Sequence, residues 1–281
     1  MTTGETKASR PSLSRAAAQP VQHYEVVDQT GKAKQVAIPV ELPLTIYIDG
    51  HEIVTLMTMG TNPEELTLGY LRNQRLLERI EDIESVVVDW ARETVEVSTR
   101  QGHGIGDLAG KLSRVTVTSS CGQGTLFNNA MGKLEQKLPR AQVRQSTIYE
   151  LLKAVASRNQ IYRLSGSVHC CCLCQGGRVL MSVEDVGRHN AVDAVAGRMW
   201  LDGMDGADKI FFITGRFASE IVMKAALMGI PAIVSKAGIT NRGLELAKDL
   251  GMVVIGRAKS SGFLVYNGWD QVVFDGAPET A

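Results

Sequence analysis

Ser119-Ser120-Cys121-Gly122-Gln123-Gly124 sets one thiol among hydroxyls and glycines. It lies between a strand-like run, Val115 to Thr118, and a helix-like run from Leu126. Glycine supplies the positive φ of a sharp turn and leaves room for a large ligand beside the sulfur. A helix beginning after Thr125 would aim its positive end at the loop and favour the thiolate, the nucleophilic form. The competing reading is a small inert hydrophobe, since free cysteine is usually buried. A strand, a glycine loop and a helix in succession favour the reactive thiol.

Further along, three loops carry cations beside glycines. Glu184-Asp185-Val186-Gly187-Arg188-His189-Asn190 puts Arg188 and His189 in a first helical turn. Free backbone N–H groups there favour a phosphate, and arginine adds paired hydrogen bonds. Ordinary capping by Asp185 with a solvated Arg188 fits the spacing equally well. His189 could be a base, a phosphate contact or a core histidine. Thr214-Gly215-Arg216-Phe217-Ala218-Ser219-Glu220 repeats the strand, glycine, arginine, helix order, and the repetition favours a shared anionic ligand. Gly256-Arg257-Ala258-Lys259-Ser260-Ser261-Gly262 follows the last core strand with two cations and two hydroxyls, enough to hold a pyrophosphate. A surface turn of that composition is also common.

His169-Cys170-Cys171-Cys172-Leu173-Cys174 invites a metal reading. On a strand, Cys170, Cys172 and Cys174 share one face and His169 and Cys171 the other. One extended strand does not readily supply four tetrahedral ligands, so small apolar core residues are favoured over zinc. A cluster cysteine acting as partner to Cys121 is a further reading. A zinc nucleoside deaminase needs His-X-Glu and Pro-Cys-X-X-Cys. His169 lacks the glutamate and the second motif is missing, so that enzyme is disfavoured.

The elements that must position these groups fall into two units. Residues 1–22 read as a disordered tail. Residues 23–140 read as an α+β domain. It holds strands Leu42–Ile48 and His51–Met59 about an Asp49-Gly50 hairpin. A helix follows, capped by Asn62, with Pro63 at its first position and Glu65 closing a capping box. Strands Ser85–Trp90 and Thr94–Ser98 come next, then the Cys121 loop and a helix Leu126–Leu138. Residues 141–276 read as a helix Thr147–Ser157 and a hairpin of Val168–Cys174 with Arg178–Val183. A helix N-capped by Asp185 runs to about Trp200, and strands at Lys209–Ile213, Pro231–Ser235 and Met252–Ile255 alternate with helices Ala218–Met228 and Thr240–Leu250. Short apolar strands alternating with amphipathic helices indicate a three-layer α/β sandwich.

Composition bounds the function. The chain has 281 residues, 44% of them apolar, enough for a substantial core. Thirty basic and thirty acidic residues give a formal charge of zero, without the basic excess of a nucleic-acid binder. No apolar run approaches the ~18 residues of a membrane helix. The Ser/Thr/Ala-rich N-terminus lacks the apolar stretch of a secretory signal. An odd cysteine count with four crowded together is unlike a disulfide framework and fits a reducing cytoplasm.

The Cys121 loop resembles the Ser-Cys-Gly-X-Cys-Gly segment of the formate dehydrogenase accessory sulfurtransferase family (FdhD), with Gly124 at the family's second cysteine. Glu184 to Asp193 resembles the family's Glu-Asp-Val-Gly-Arg-His-Asn-Ala-Val-Asp segment without interruption. Thr214 to Glu220, Lys224-Ala225-Ala226 and Gly229-Ile230-Pro231 are similar to two further family segments. So is Gly60 to Leu71, after which Asn73 to Leu77 departs from the family pattern. The resemblance spans roughly 35–267 and is strongest from Gly166. It implies a cytidine-deaminase-like C-terminal fold and a sulfur carrier with Cys121 as the persulfide-bearing, catalytic thiol. Sulfur would come from a cysteine desulfurase and pass to a molybdenum or tungsten bis(molybdopterin guanine dinucleotide) cofactor, bound as substrate, for the formate dehydrogenase catalytic subunit. No permanently bound metal is implied. The family's cofactor-contacting segment would be Arg257, Ala258, Lys259, Ser260, Ser261 and Gly262, and the guanine nucleotide moiety of the cofactor a bound partner; Arg188, His189 and Arg216 stand beside it as cofactor-binding candidates from the loops above. A homodimer is implied as well. With Gly124 in place of cysteine, no local disulfide can release the sulfur. Cys121 must act alone or with an external thiol, and a noncatalytic chaperone for the cofactor is the alternative.

Overall fold

The computed structural model describes residues 10–100, 116–117, 124–125 and 137–276. Its first sheet joins β1 (Ser12–Leu13), β4 (Leu42–Ile48), β5 (His51–Thr58), β6 (Ile83–Asp89) and β7 (Thr94–Thr99) in the order β1-β6-β7-β4-β5. A separate hairpin, β2 (Val21–Val27) and β3 (Ala33–Pro39), precedes it. Helix α1 (Pro63–Asn73) follows β5. The short strands β8 (Thr116–Val117) and β9 (Gly124–Thr125) pair antiparallel. Cys121 and the expected helix from Leu126 lie outside the described residues.

Residues 10–22 differ from the expected tail. β1 pairs parallel with β6, Ser14 donates to the Glu64 carboxylate at 2.6 Å, and the Trp90 indole donates to the Ala16 carbonyl. The segment is held by hydrogen bonds to the sheet and to α1, and by Leu13 and Ala16 packed against the core. The same contacts revise the cap of α1. Asn62 makes no side-chain cap bond, and Glu64 reaches out to Ser14 and Ala16.

The second sheet holds β11 (His169–Gln175), β12 (Arg178–Asp185), β13 (Ile210–Ile213), β14 (Ala232–Ser235), β15 (Val253–Lys259) and β16 (Gly262–Asn267), in the order β12-β11-β13-β14-β15-β16. Its central strands β13, β14 and β15 are parallel. They read as unbroken apolar runs because both faces are covered. Cys171, Leu173, Phe211 and Ile213 face α4 (Arg188–Asp202), α5 (Ser219–Leu227) and α6 (Asn241–Asp249). Cys170, Cys172, Cys174 and Phe212 face α2 (Gln145–Ala156). The three layers expected for this half are present. A short strand β10 (Val143–Arg144) pairs parallel with β17 (Val272–Val273).

Helix α1 joins the two halves by lying against α4. A Cβ on Gly69 would collide with the Asp193 carbonyl, and one on Gly197 with the Glu65 carbonyl. Only glycine lets the two backbones approach so closely. Leu66 and Tyr70 of α1 share one continuous core with Val192 and Met199 of α4. Asp193, fully buried, accepts from Asn73 of α1 at 2.6 Å and pairs with Lys224 of α5 at 2.7 Å.

Candidate functional site

The sheet order brings the cation-bearing loops together. Parallel β13, β14 and β15 run toward one side of the sheet, where Thr214, Lys236 and Arg257 lie just past their paired residues. β11 runs the other way, so it begins there with His169, opposite Asp185 at the end of β12. Carboxyl ends of parallel strands collect ligands in open α/β sheets. Backbone and side-chain bonds lace these loops: Ser235 Oγ donates to Gly215 O at 2.6 Å, Phe217 N to Gly238 O at 3.0 Å, and Arg257 N to Ala237 O at 2.7 Å.

Asp185 is the last residue of β12 and not the N-cap of α4, a correction to the sequence reading. Gly187 holds the N-cap position without a side-chain bond. Asp185 Oδ1 accepts from Gly187 N and Asn190 Nδ2, and Oδ2 from Thr58 Oγ1 and Met59 N. The carboxylate thus ties the first turn of α4 to the end of β5. Burial raises its pKa against the opposing pull of those bonds.

Arg188 and His169 stand together over Gly215. A Cβ on Gly215 would lie 3.3 Å from His169 Nδ1 and 3.6 Å from Arg188 Cδ. Arg188 Nε is buried with no hydrogen-bond partner among the described residues. Burial first, and Arg188 second, hold His169 below the usual histidine range, so its imidazole is neutral at pH 7. Arg216, Lys236, Arg257 and Lys259 are exposed. Among the described residues none of these cations, Arg188 included, forms a salt bridge, whereas Lys224 is paired. A chain of zero formal charge therefore concentrates unpaired positive charge on one sheet edge, where an anion would be drawn.

His189 is not on that surface. It is 5% exposed, with Nε2 3.2 Å from Glu220 Oε2 but out of line for a hydrogen bond. Its pKa is lowered to about 3 by burial first, then by Lys224, Arg188 and His169. Of the readings open for His189, its surroundings are those of a neutral core histidine beneath Arg188.

The loop expected at 256–262 is a β-hairpin. β15 continues to Lys259, and Lys259 pairs with Gly262 across Ser260 and Ser261. Arg257, Lys259, Ser260 and Ser261 are exposed, while Ala258 turns fully into the core. Arg257 adopts the left-handed conformation, φ 51°. That conformation costs a non-glycine residue about 1–2 kcal/mol. Arg257→Gly is therefore expected to raise stability by about 0.5–1 kcal/mol, after the entropy cost of glycine, while removing the charge. The urea midpoint would register the gain, and an unchanged or lower midpoint would contradict it.

Cys170, Cys171, Cys172 and Cys174 are all fully buried. Cys170 and Cys172 sulfurs lie 3.6 Å apart. That contact, then burial, pushes the Cys170 thiol far up, and burial pushes Cys174 to about 12. Protonated and enclosed, these thiols are poor nucleophiles. Of the five cysteines, Cys121 is the one outside the 170–174 stretch of the sequence. Among the described residues no group of three or more His, Cys, Asp or Glu is placed to hold a metal ion. Nor is any helix there long and apolar enough to cross a membrane.

Sequence reasoning missed Tyr162 and Lys236. Glu184 accepts from Ile161 N and Tyr162 N, anchoring the short helix α3 (Gln160–Ser165) beside His169. Neither residue sits in a motif. The signal was Lys236, a lone cation after an apolar strand.

The family model described as FdhD/NarQ matches residues 39–273. The sulfur carrier protein FdhD of Staphylococcus aureus strain MRSA252 is 28% identical over 235 residues, covering 83% of this chain and 88% of that one. Its counterpart in strain Newman is 27% identical over the same shares. A crystal structure of a protein described as a formate dehydrogenase accessory protein, from Desulfotalea psychrophila, matches with a TM-score of 0.72 at 24% identity, covering 90% of this chain and 98% of that chain. That similarity is one of fold.

Proposed function

Because the chain belongs to the FdhD/NarQ family, we propose that it is a cytoplasmic sulfur carrier for formate dehydrogenase maturation, with Cys121 as the carrying thiol. The observation that supports this most is the gathering of the Arg188, Arg216 and Arg257 loops on one sheet edge, without acidic partners among the described residues. A doubly phosphorylated dinucleotide fits such an edge. The cargo is a molybdenum or tungsten bis(molybdopterin guanine dinucleotide), bound as substrate, and the recipient is the formate dehydrogenase catalytic subunit. A cytidine-deaminase-like arrangement of the second half belongs to the same reading.

In the loading step the Cys121 thiolate attacks the outer sulfur of a desulfurase persulfide. The S–S bond on the desulfurase cysteine breaks and one forms on Cys121. The desulfurase cysteine leaves as thiolate, and no net oxidation occurs. Gly124 removes the family's second loop cysteine, so release relies on Cys121 leaving as thiolate or on an external thiol. That same glycine favours a second reading, a noncatalytic chaperone that binds the cofactor and carries no sulfur.

Complementation separates the two. In a host lacking its own carrier, the wild-type chain is expected to restore formate dehydrogenase activity and Cys121→Ala to restore none. Full activity with Cys121→Ala would sink the carrier reading.

A further inference from the structure

Where segment 10–17 crosses the start of α1 and the last turn of α4 there is a cavity of about 430 Å³. Its volume lies within the range of small-molecule sites, about 300–1,000 Å³. Three arginines and three carboxylates line it, so its formal charge is zero. Most of these charges are matched already. Arg10 pairs with Asp202 at 3.4 Å, and Arg198 with Asp202 at 2.6 Å and with Glu65 Oε1 at 3.4 Å. Glu64 Oε1 accepts from Ser14 Oγ and Ala16 N. Two groups are left over. Among the described residues Arg15 makes no salt bridge or side-chain hydrogen bond, and Glu65 Oε2 has no donor.

Arg15 differs from an ordinary solvated arginine. Its backbone is left-handed, φ 55°, a conformation that strains a residue carrying a Cβ. The cause lies on either side of it. Ser14 Oγ and Ala16 N bond to the same Glu64 oxygen, at 2.6 and 2.8 Å, and Ser14 N bonds to Val86 O. The chain must bulge between two anchors on one atom, and the side chain at the bulge lines the cavity. Glycine would relieve the strain, whereas arginine keeps a guanidinium at a fixed place. Strain held in this way clusters at ligand clamps.

We infer that this cavity binds a free α-amino acid, with its carboxylate on Arg15 and its ammonium on Glu65 Oε2. The charge pattern selects a zwitterion. A phosphate dianion would meet three carboxylates, and a lone cation three arginines, and like charges repel. A guanidinium takes a carboxylate through two parallel hydrogen bonds. Asn62 also lines the cavity, and its Nδ2 has no acceptor among the described residues, which adds a donor for the same carboxylate. Leu13 and Leu201 offer apolar wall to a side chain. The site is remote in the fold from the basic sheet edge and stands whether or not that edge takes a nucleotide. A bound amino acid would tie segment 10–17 to α1 and α4, and so stabilise the folded chain by linkage.

Melting curves of the full chain with each common L-amino acid at millimolar concentration test this. At least one is expected to raise the melting temperature. In calorimetric titration with that amino acid, Arg15→Ala should weaken binding by about tenfold or more, one charge-assisted contact. The N-acetyl and methyl ester derivatives, each lacking one charge, should bind about tenfold more weakly to wild type. Arg15 is exposed, and Arg15→Gly, freed of the strain, should melt no lower than wild type without ligand yet bind no better than Arg15→Ala. If no amino acid shifts the melting curve, or if Arg15→Ala binds as wild type does, the inference is wrong. If the N-acetyl derivative binds as well as the free amino acid, the cavity takes a plain carboxylate, which overturns it too.

Discussion

Asp193→Ala is expected to destabilise the protein by about 3–5 kcal/mol, enough to leave much of it unfolded. Asp193 is fully buried and Lys224 is 4% exposed. Their 2.7 Å contact is the partner that lets an ammonium group remain in the core. Removing the carboxylate leaves that charge without compensation and also strips the acceptor from Asn73. The damage falls where three helices meet: α1 brings Asn73, α4 Asp193 and α5 Lys224. Since α1 is the first half's contact with α4, and α4 begins with Arg188, a loosened junction would also displace the basic edge. Asp193→Leu with Lys224→Met removes both charges and should recover most of the loss, because a buried pair replaced by apolar groups is often neutral. Guanidinium midpoints would check both variants. A loss below about 1 kcal/mol for Asp193→Ala would mean that water already reaches the lysine.

Acid is expected to unfold the protein through His189. In the native chain its pKa lies at about 3, against about 6.5 when unfolded. Between those values the unfolded state binds a proton that the native state refuses. Stability is then fully present above about pH 6.5 and falls, as pH drops, by about 1.4 kcal/mol per unit. His169, lowered by burial and Arg188, adds in the same direction. Asp185, raised by burial, acts oppositely, but only near and above its unfolded value of 3.8. Glu220, 3.2 Å from Nε2, would favour the charged ring, yet burial and the neighbouring Lys224 and Arg188 outweigh it. Urea unfolding from pH 7 to 5 would display the slope. His189→Gln should flatten it by about one proton's worth, about 1.4 kcal/mol per unit near pH 5. An identical slope in that variant would assign the acid sensitivity elsewhere.

The alternation of apolar strands with helices made the second half legible, because β13, β14 and β15 are buried on both faces and carry no competing pattern. What escaped was set by tertiary contacts. The β2–β3 hairpin exposes most of its residues, Tyr24 and Val27 among them, so it has no apolar side to betray it. β16 hides behind a glycine-rich turn that reads as the end of the sheet. Asp185 looked like a cap because it lies just before the helix, but its carboxylate ends the strand and binds Gly187 N and Asn190 Nδ2 on one side and Thr58 and Met59 on the other. The basic loops were each visible by composition. Their convergence depends on the strand order, which no local pattern encodes, and Lys236 joins the basic edge only through it. His189 shows the limit most plainly: its neighbours in sequence suggested a ligand contact, and its neighbours in space are Glu220 and the core.

The most direct measurement is the mass of the full chain after incubation with a cysteine desulfurase and cysteine. A sulfur carrier gains one sulfur atom, releases it to a thiol reductant, and gains none as Cys121→Ala. No gain in wild type, or a gain that survives Cys121→Ala, would contradict sulfur carriage on Cys121; no gain with GDP binding intact would make the protein a cofactor chaperone.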